Sequence, residues 1–541
     1  MPETGGQTIY RRGRSRGVFS VRFKRRFFSR TLLGALLVLF ATSSSFATIT
    51  YQISLAHPEQ HLFHVAMTIP SVSDSVTVQM PAWNALYEIR DFASRVREVK
   101  ATNESGTLPI EKLDKQTWRV TGAGTITIQY DTFWDEPGPF ASQLNSEHAF
   151  INPAMILMYV SDRRSEDIRL GFTDLPADWK VASSALVRIE FSSVASWGIL
   201  APSYDALADS PVEIGRFETF ELVEVSPSIR FIVHGKLEHP DTFKEKLTRI
   251  CKYELSLMGG APFSHYTFIF HVGENAGSGG MEHANATAIA GRTENMLLSV
   301  SAHEFFHLWN VKRIRPASLE PVDYTKEQYT KSLWFAEGVT STYERYTLLR
   351  SGLWNKNLFY SELGRQIGEL ESHPANAWQS AEQSSLDTWF EKYPIYLQAD
   401  HSVSYYTKGA MLGLLLDLWI REQTNNTRSL DDMMRALNEQ FGKTGKPYRD
   451  REDLEGVCSQ TARKSCREFF DNFVSGTKPF PYDEYFSFAG WKIRRVVHTS
   501  PQMGTQTASE ISEDESASEK QKRIRAGILA GTTEKAVSAP N

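Results

Sequence analysis

Residues 301–316 read SAHEFFHLWNVKRIRP, with His303 and His307 four positions apart and Glu304 directly after the first. On an α-helix, residues four apart share a face and lie about 6 Å apart along the axis. Two imidazoles placed that way can aim at one zinc ion, each nitrogen roughly 2.0–2.1 Å from it. Glu304 sits about 100° further round the helix, beside such an ion rather than on it. That position suits a carboxylate that takes a proton from water. A helix with a salt-bridged glutamate and two half-exposed histidines would carry the same letters, so the pattern needs a third ligand to mean zinc.

A catalytic zinc takes three protein ligands and keeps a fourth position open. The stretch LWFAEGVTSTYERY, 333–346, supplies the third in Glu337, which lies between Phe335-Ala336 and Gly338 in a strongly apolar setting. A carboxylate there is costly unless it is paired or bound to a cation. The competing account, an acid favoured by a helix N-terminus, explains Glu337 but not its pairing with the histidines upstream. The expectation is one zinc ion per chain on His303, His307 and Glu337. Glu344, two turns further along the same face, is placed to steady a ligand by hydrogen bonding.

These side chains need a scaffold, and the rest of the chain supplies two kinds of segment. From 48 to about 228, β-branched and aromatic runs such as HLFHVAMTIP, SVTVQM and TWRVTGAGTITIQYDTF alternate with Pro, Gly and Ser. They predict an antiparallel β-rich domain. Over 229–495 the period lengthens. PDTFKEKLTRICKYELSLMGG, TENMLLSVSAHEFFHLWNVKRI, KSLWFAEGVTSTYERYTLLRSG and SYYTKGAMLGLLLDLWIREQ read as helices. The second of these is expected to run unbroken to Arg315, before Pro316. The fold class is therefore α+β. Residues 496–541 are polar, without apolar periodicity, and are expected to be a disordered tail.

The first 47 residues follow another logic. Nine basic residues against one acid precede the apolar run TLLGALLVLFA and a small-residue stretch ending at Ala47. That order is a secretory signal, which predicts an exported chain, periplasmic or secreted. Left uncut, residues 31–47 would anchor it to a membrane instead. Without the leader the formal charge falls from −5 to about −13, the opposite of the basic footprint that nucleic-acid binding needs. Three cysteines make no disulfide scaffold. Cys458 and Cys466 can bridge only if a turn breaks the helix between them, since on one helix they would lie about 12 Å apart; two or three free buried thiols are the other reading.

HEFFHLWNVKRIRP followed by LWFAEGVTSTY resembles the glycyl aminopeptidase family of zinc metallopeptidases, and MPAWNALYEIRDF, 80–92, extends the likeness into the N-terminal domain. The resemblance implies a thermolysin-like catalytic domain behind a β-sandwich-like one. It implies that Glu282 of GGMEH, 279–283, binds the α-amino group of a peptide, with Gly279 and Gly280 presenting backbone to it. It further implies that Tyr406 of SYYTKG, 404–409, steadies the negative oxygen of the transition state, with Tyr405 its neighbour. The family often carries a PDZ domain, and no such pattern follows residue 495. The function expected is a zinc aminopeptidase releasing small first residues, Gly or Ala, from peptides. The alternatives are an endopeptidase of the same fold and a silent peptide-binding homologue.

Overall fold

Alternation with period two builds the N-terminal half. In Ile49–Ser54 every second side chain is buried, so Ile49, Tyr51 and Ile53 turn inward while their neighbours face out. The strand pairs antiparallel with Leu62–Val72, Tyr51 opposite Met67, and parallel with Ile168–Thr173, Tyr51 opposite Leu170. The computed structural model describes residues 48–534 apart from Ala85, 192–193 and 501–503; the expected leader over 1–47 lies outside the described residues. The half comprises an eight-stranded sheet and two four-stranded sheets, almost wholly antiparallel. Residues from all three, among them Ile128, Val78 and Ile214, share one core.

The second half is centred on a five-stranded sheet covered by helices. Ser228–Gly235, His265–Val272 and Ala286–Gly291 run parallel, and Gly279–Glu282 pairs antiparallel with the last of them as the sheet's edge. Pro240–Met258 is helical and stops where Gly259 takes a left-handed conformation, as its Gly-Gly end predicts. The helices Glu294–Phe306, Thr340–Arg350 and Tyr405–Gln423 pack into one apolar core with the sheet. The architecture is α+β, a β-rich domain followed by a mainly helical one. No helix among the described residues is long and apolar enough to cross a membrane.

Two expectations need correcting. The helix entering at Glu294 ends at Phe306 with His307 as its cap, not at Arg315. Beyond it the chain turns more widely: the amides of Lys312 and Ile314 reach back five residues to the His307 and Trp309 carbonyls. The tail is also ordered for most of its length. Trp491–Ser500 and Gly504–Glu513 form a hairpin, and Glu519–Ala530 is a helix capped by Ser518 and ended by Gly531. Its apolar residues are few but well placed: Ile524 and Ile528 join the main core, as does Trp491 at the start of the hairpin. Composition averages such sparse anchors away.

Cys458 and Cys466 form a disulfide with Cα atoms 6.1 Å apart. The helix Asp450–Ala462 ends at Arg463 in a left-handed conformation, and that turn brings the two together. Cys251 is free and buried.

Candidate active site

Glu337 lies in a π-type stretch, Trp334–Val339, that runs straight into the helix Thr340–Arg350. Its Oε2 is 3.3 Å from Nε2 of His303 and 3.2 Å from Nε2 of His307. Ligands about 2.0–2.1 Å from a tetrahedral zinc stand roughly 3.3–3.4 Å from one another. Both distances have the spacing of ligands on a shared ion, and the three donor atoms lie within 4.8 Å of one another.

The hydrogen bonds behind the imidazoles select the matching tautomers. His307 Nδ1 donates to the Asn310 carbonyl at 2.6 Å, which leaves the Nε2 lone pair facing Glu337. Asn310 is itself fixed by Nδ2 donating to the Phe335 carbonyl at 2.8 Å and to the Thr340 hydroxyl at 3.1 Å. His303 Nδ1 faces the Ser341 hydroxyl at 3.4 Å and Glu344 Oε2 at 3.8 Å, while Ser299 donates to Glu344 Oε1 at 2.7 Å. Two lone pairs turned on one carboxylate oxygen repel unless a cation lies between them. The donor set of two imidazoles and a carboxylate, with His307 and Glu337 buried and His303 partly so, fits zinc. Sequence reasoning anticipated Glu344 but not Asn310 or Ser341, whose positions depend on the turn after His307.

Glu304 faces the edge strand. A Cβ on Gly280 would fall 2.5 Å from its carboxylate, so only glycine lets the strand pass this close. Its Oε2 is buried without a partner, and burial pushes the carboxyl up to about 7. A carboxylate held this way is poised to accept a proton. Burial would also raise Glu337, but the two imidazoles beside it outweigh burial and hold that carboxyl well below its usual range.

A cleft of about 340 Å³ brings these groups together with Gly280, Glu282, Tyr405 and Tyr406. Gly279 lies at its edge, with Phe140 too close to admit a side chain. Of the two tyrosines, Tyr405 is buried, its hydroxyl accepting from Thr388 at 3.3 Å; Tyr406 is 40% exposed, its ring 6.1 Å from that of His303. Glu282 ends the edge strand. His283 after it is pinned through Nδ1 to Asp209 at 3.0 Å, and Asp209 also accepts from Lys312 at 2.8 Å.

A second cluster, His148, Glu213 and His234, also brings three donors within 4.8 Å of one another. There the two imidazoles are stacked, 3.8 Å apart and 9° from parallel, so lone pairs lying in parallel planes cannot meet on one ion. Glu213 instead pairs with His148 Nδ1 at 2.8 Å and with His271 Nε2 at 2.9 Å.

Comparison with known proteins returns two family models. The Peptidase M61 N-terminal domain matches residues 50–216 and the M61 glycyl aminopeptidase model residues 296–412, together just over half of the chain. Among solved structures, an aminopeptidase N family protein from Idiomarina loihiensis is similar at 28% identity and a TM-score of 0.78, over 83% of this chain and 80% of that one. An M1 zinc metallopeptidase from Deinococcus radiodurans, solved as a variant bound to a Tyr-Ser-Ala substrate, matches at 13% identity and a TM-score of 0.49, over 80% of this chain and 94% of that one. No curated protein sequence matches.

Proposed function

The chain belongs to the M61 glycyl aminopeptidase family of peptide-bond hydrolases, and from that premise we propose a zinc aminopeptidase that releases Gly or Ala from the amino end of peptides. The observation that carries it is the convergence of His303 and His307, each with Nε2 within 3.3 Å of Glu337 Oε2, opposite an edge strand that ends in Glu282.

Bound there, zinc would supply a Lewis acid that polarises the scissile carbonyl and acidifies water. The chain's own groups do the rest. The edge strand has one side unpaired in its sheet and offers backbone to an extended peptide. Glu282 binds the substrate's α-ammonium and so sets which bond is presented. Glu304 accepts the proton of the attacking water and returns it to the leaving amine. Tyr406, a proton donor at neutral pH, hydrogen-bonds the carbonyl oxygen as it turns negative, a contribution of roughly 3–4 kcal/mol in comparable sites.

The test is a panel of Gly-, Ala-, Leu- and Lys-aminoacyl coumarins beside an internally quenched peptide with a blocked amino end, each with and without a zinc chelator. Release from the free-amine substrates alone, abolished by chelator and restored by zinc, is the expected result. Cleavage of the blocked peptide would establish the endopeptidase instead; no cleavage of either would leave the silent binding homologue.

We also propose export. The disulfide Cys458–Cys466 suits an oxidising compartment, as does the basic-apolar-small order of residues 1–47. Fractionation of expressing cells tests it, with retention of the full-length chain in the cytoplasm as the contrary outcome.

A further inference from the structure

Behind the catalytic cleft lies a second cavity, of about 240 Å³. Tyr87, Met281 and Glu282 line both spaces and form the neck between them. Tyr87 belongs to the segment MPAWNALYEIRDF, to which no part of the catalytic chemistry has been assigned. Its ring packs against a pair of tryptophans from different halves of the chain. Trp389 meets it edge-on at 6.2 Å and Trp83 lies at 6.3 Å, while the tryptophans contact each other at 5.3 Å. Both are nearly buried, and Trp83 is fixed by its indole N–H donating to the Asp323 carbonyl at 2.7 Å. Tyr87 is therefore a supported ring, not a free one.

The cavity behind it has the character of a side-chain pocket. Trp83, Leu319, Val322 and Tyr324 give it apolar walls. Lys312 pairs with Asp209, Arg315 with Glu320 and Asp205 with Arg164, so beyond the carboxylate of Glu282 at the neck its charges are matched. If Glu282 holds the α-ammonium at hydrogen-bond distance, the α-carbon of the first residue stands about 4 Å from that carboxylate. Glu282 is itself part of the neck, so the first side chain starts at the neck and points either at Tyr87 or past it.

We propose that Tyr87 is the specificity gate of this site. In place it stops the first side chain at one carbon; removed, it joins the cleft to the second cavity and admits unbranched or γ-branched apolar side chains such as methionine and leucine. The inference rests on the aminopeptidase reading and adds to it the residue that limits the substrate. It explains how a chain with a sizeable cavity beside its catalytic groups would still select Gly and Ala.

The experiment compares wild type, Tyr87→Ala and Tyr87→Phe on Gly-, Ala-, Met- and Leu-aminoacyl coumarins, reading the ratio of kcat/KM for Leu to that for Gly. A single methylene accommodated or refused changes such ratios by about 10–200-fold. Tyr87→Ala is expected to raise the ratio at least tenfold, and Tyr87→Phe, which keeps the ring, to leave it within twofold. A ratio unchanged in a folded, zinc-loaded Tyr87→Ala protein overturns the gate. So does a rise in Tyr87→Phe equal to that in Tyr87→Ala, which would assign the effect to the hydroxyl. Should Tyr87→Ala fail to fold, Trp389→Leu withdraws the support of the ring and is read by the same ratio: a rise supports the gate, and an unchanged ratio overturns it. Wild-type protein that cuts a blocked peptide but none of the four coumarins would sink the aminopeptidase reading itself, and the gate with it.

Discussion

Gly338 and Gly409 meet backbone to backbone. A Cβ on Gly338 would fall 2.5 Å from the Gly409 Cα, and one on Gly409 would collide with the Trp334 carbonyl. The residue before the first glycine is Glu337; three before the second is Tyr406. The contact thus sets how far the carboxylate lies from the phenol. Gly409→Ala is expected to cost about 1–3 kcal/mol, as overpacking of a tight core does, and to loosen zinc retention in dialysis. Thermal melts and elemental analysis check both; an unchanged melt with full zinc would show that the helices can part without consequence.

Glu304 and Glu337 should separate chemistry from binding. Glu304→Gln removes the proton acceptor but none of the three converging atoms. It is expected to keep its zinc and lose roughly 10²–10⁴-fold or more in kcat. Glu337→Ala removes the atom within 3.3 Å of both imidazoles and is expected to be isolated without metal. Near-wild-type turnover in the first variant, or one zinc per chain in the second, contradicts the assignment.

The catalytic motifs are legible in the sequence because their chemistry is local. Four-residue spacing on a helix and a carboxylate in an apolar run both survive in the letters. The end of the helix at Phe306 does not, because it is set by the His307–Asn310 bond and by Asn310 reaching to Phe335 and Thr340, contacts made across 25 and 30 residues. Tyr87 is visible only as part of a family-like segment; its partner Trp389 is some 300 positions away, and pattern reading has no access to such pairs. Order in the tail escapes the letters for a related reason, since two buried isoleucines, Ile524 and Ile528, with Trp491 just ahead of them, anchor some forty mostly polar positions.

Glu213 joins the two halves of the molecule by pairing with His148 from the N-terminal half and His271 from the five-stranded sheet. Burial would raise its carboxyl, but the two histidines outweigh it and bring it down to about 2, from an ordinary 4.5. A carboxylate depressed by folding stabilises the native state above its unfolded pKa, and that stability is lost as pH falls through the folded one. The window is therefore about pH 4.5 down to 2, with a size on the order of 3 kcal/mol for a shift of this extent. Melting temperature should fall through that window in the wild type, and Glu213→Gln should flatten this part of the profile. Parallel profiles for the two proteins would remove Glu213 from the acid response.

Residues 491–534 should behave as part of the fold. Trp491 donates its indole N–H to the Tyr360 hydroxyl at 2.9 Å, and Ile524 and Ile528 are fully buried. Arg421, itself fully buried, donates to the Thr532 carbonyl at 2.7 Å, and Arg350 donates to that of Ile528 at 2.9 Å. A chain ending at Gly490 would expose the apolar surface under these side chains and leave two buried guanidinium groups short of acceptors, each a loss of about 1–3 kcal/mol or more for a charged group. Truncation there is expected to give aggregated protein or a melt lowered by many degrees. The point substitution Ile528→Asp provides an independent reading without shortening the chain, and its expected outcome is the same fall in melting temperature. A truncated protein that melts and cleaves as the full chain does would return these residues to the status of a loose tail.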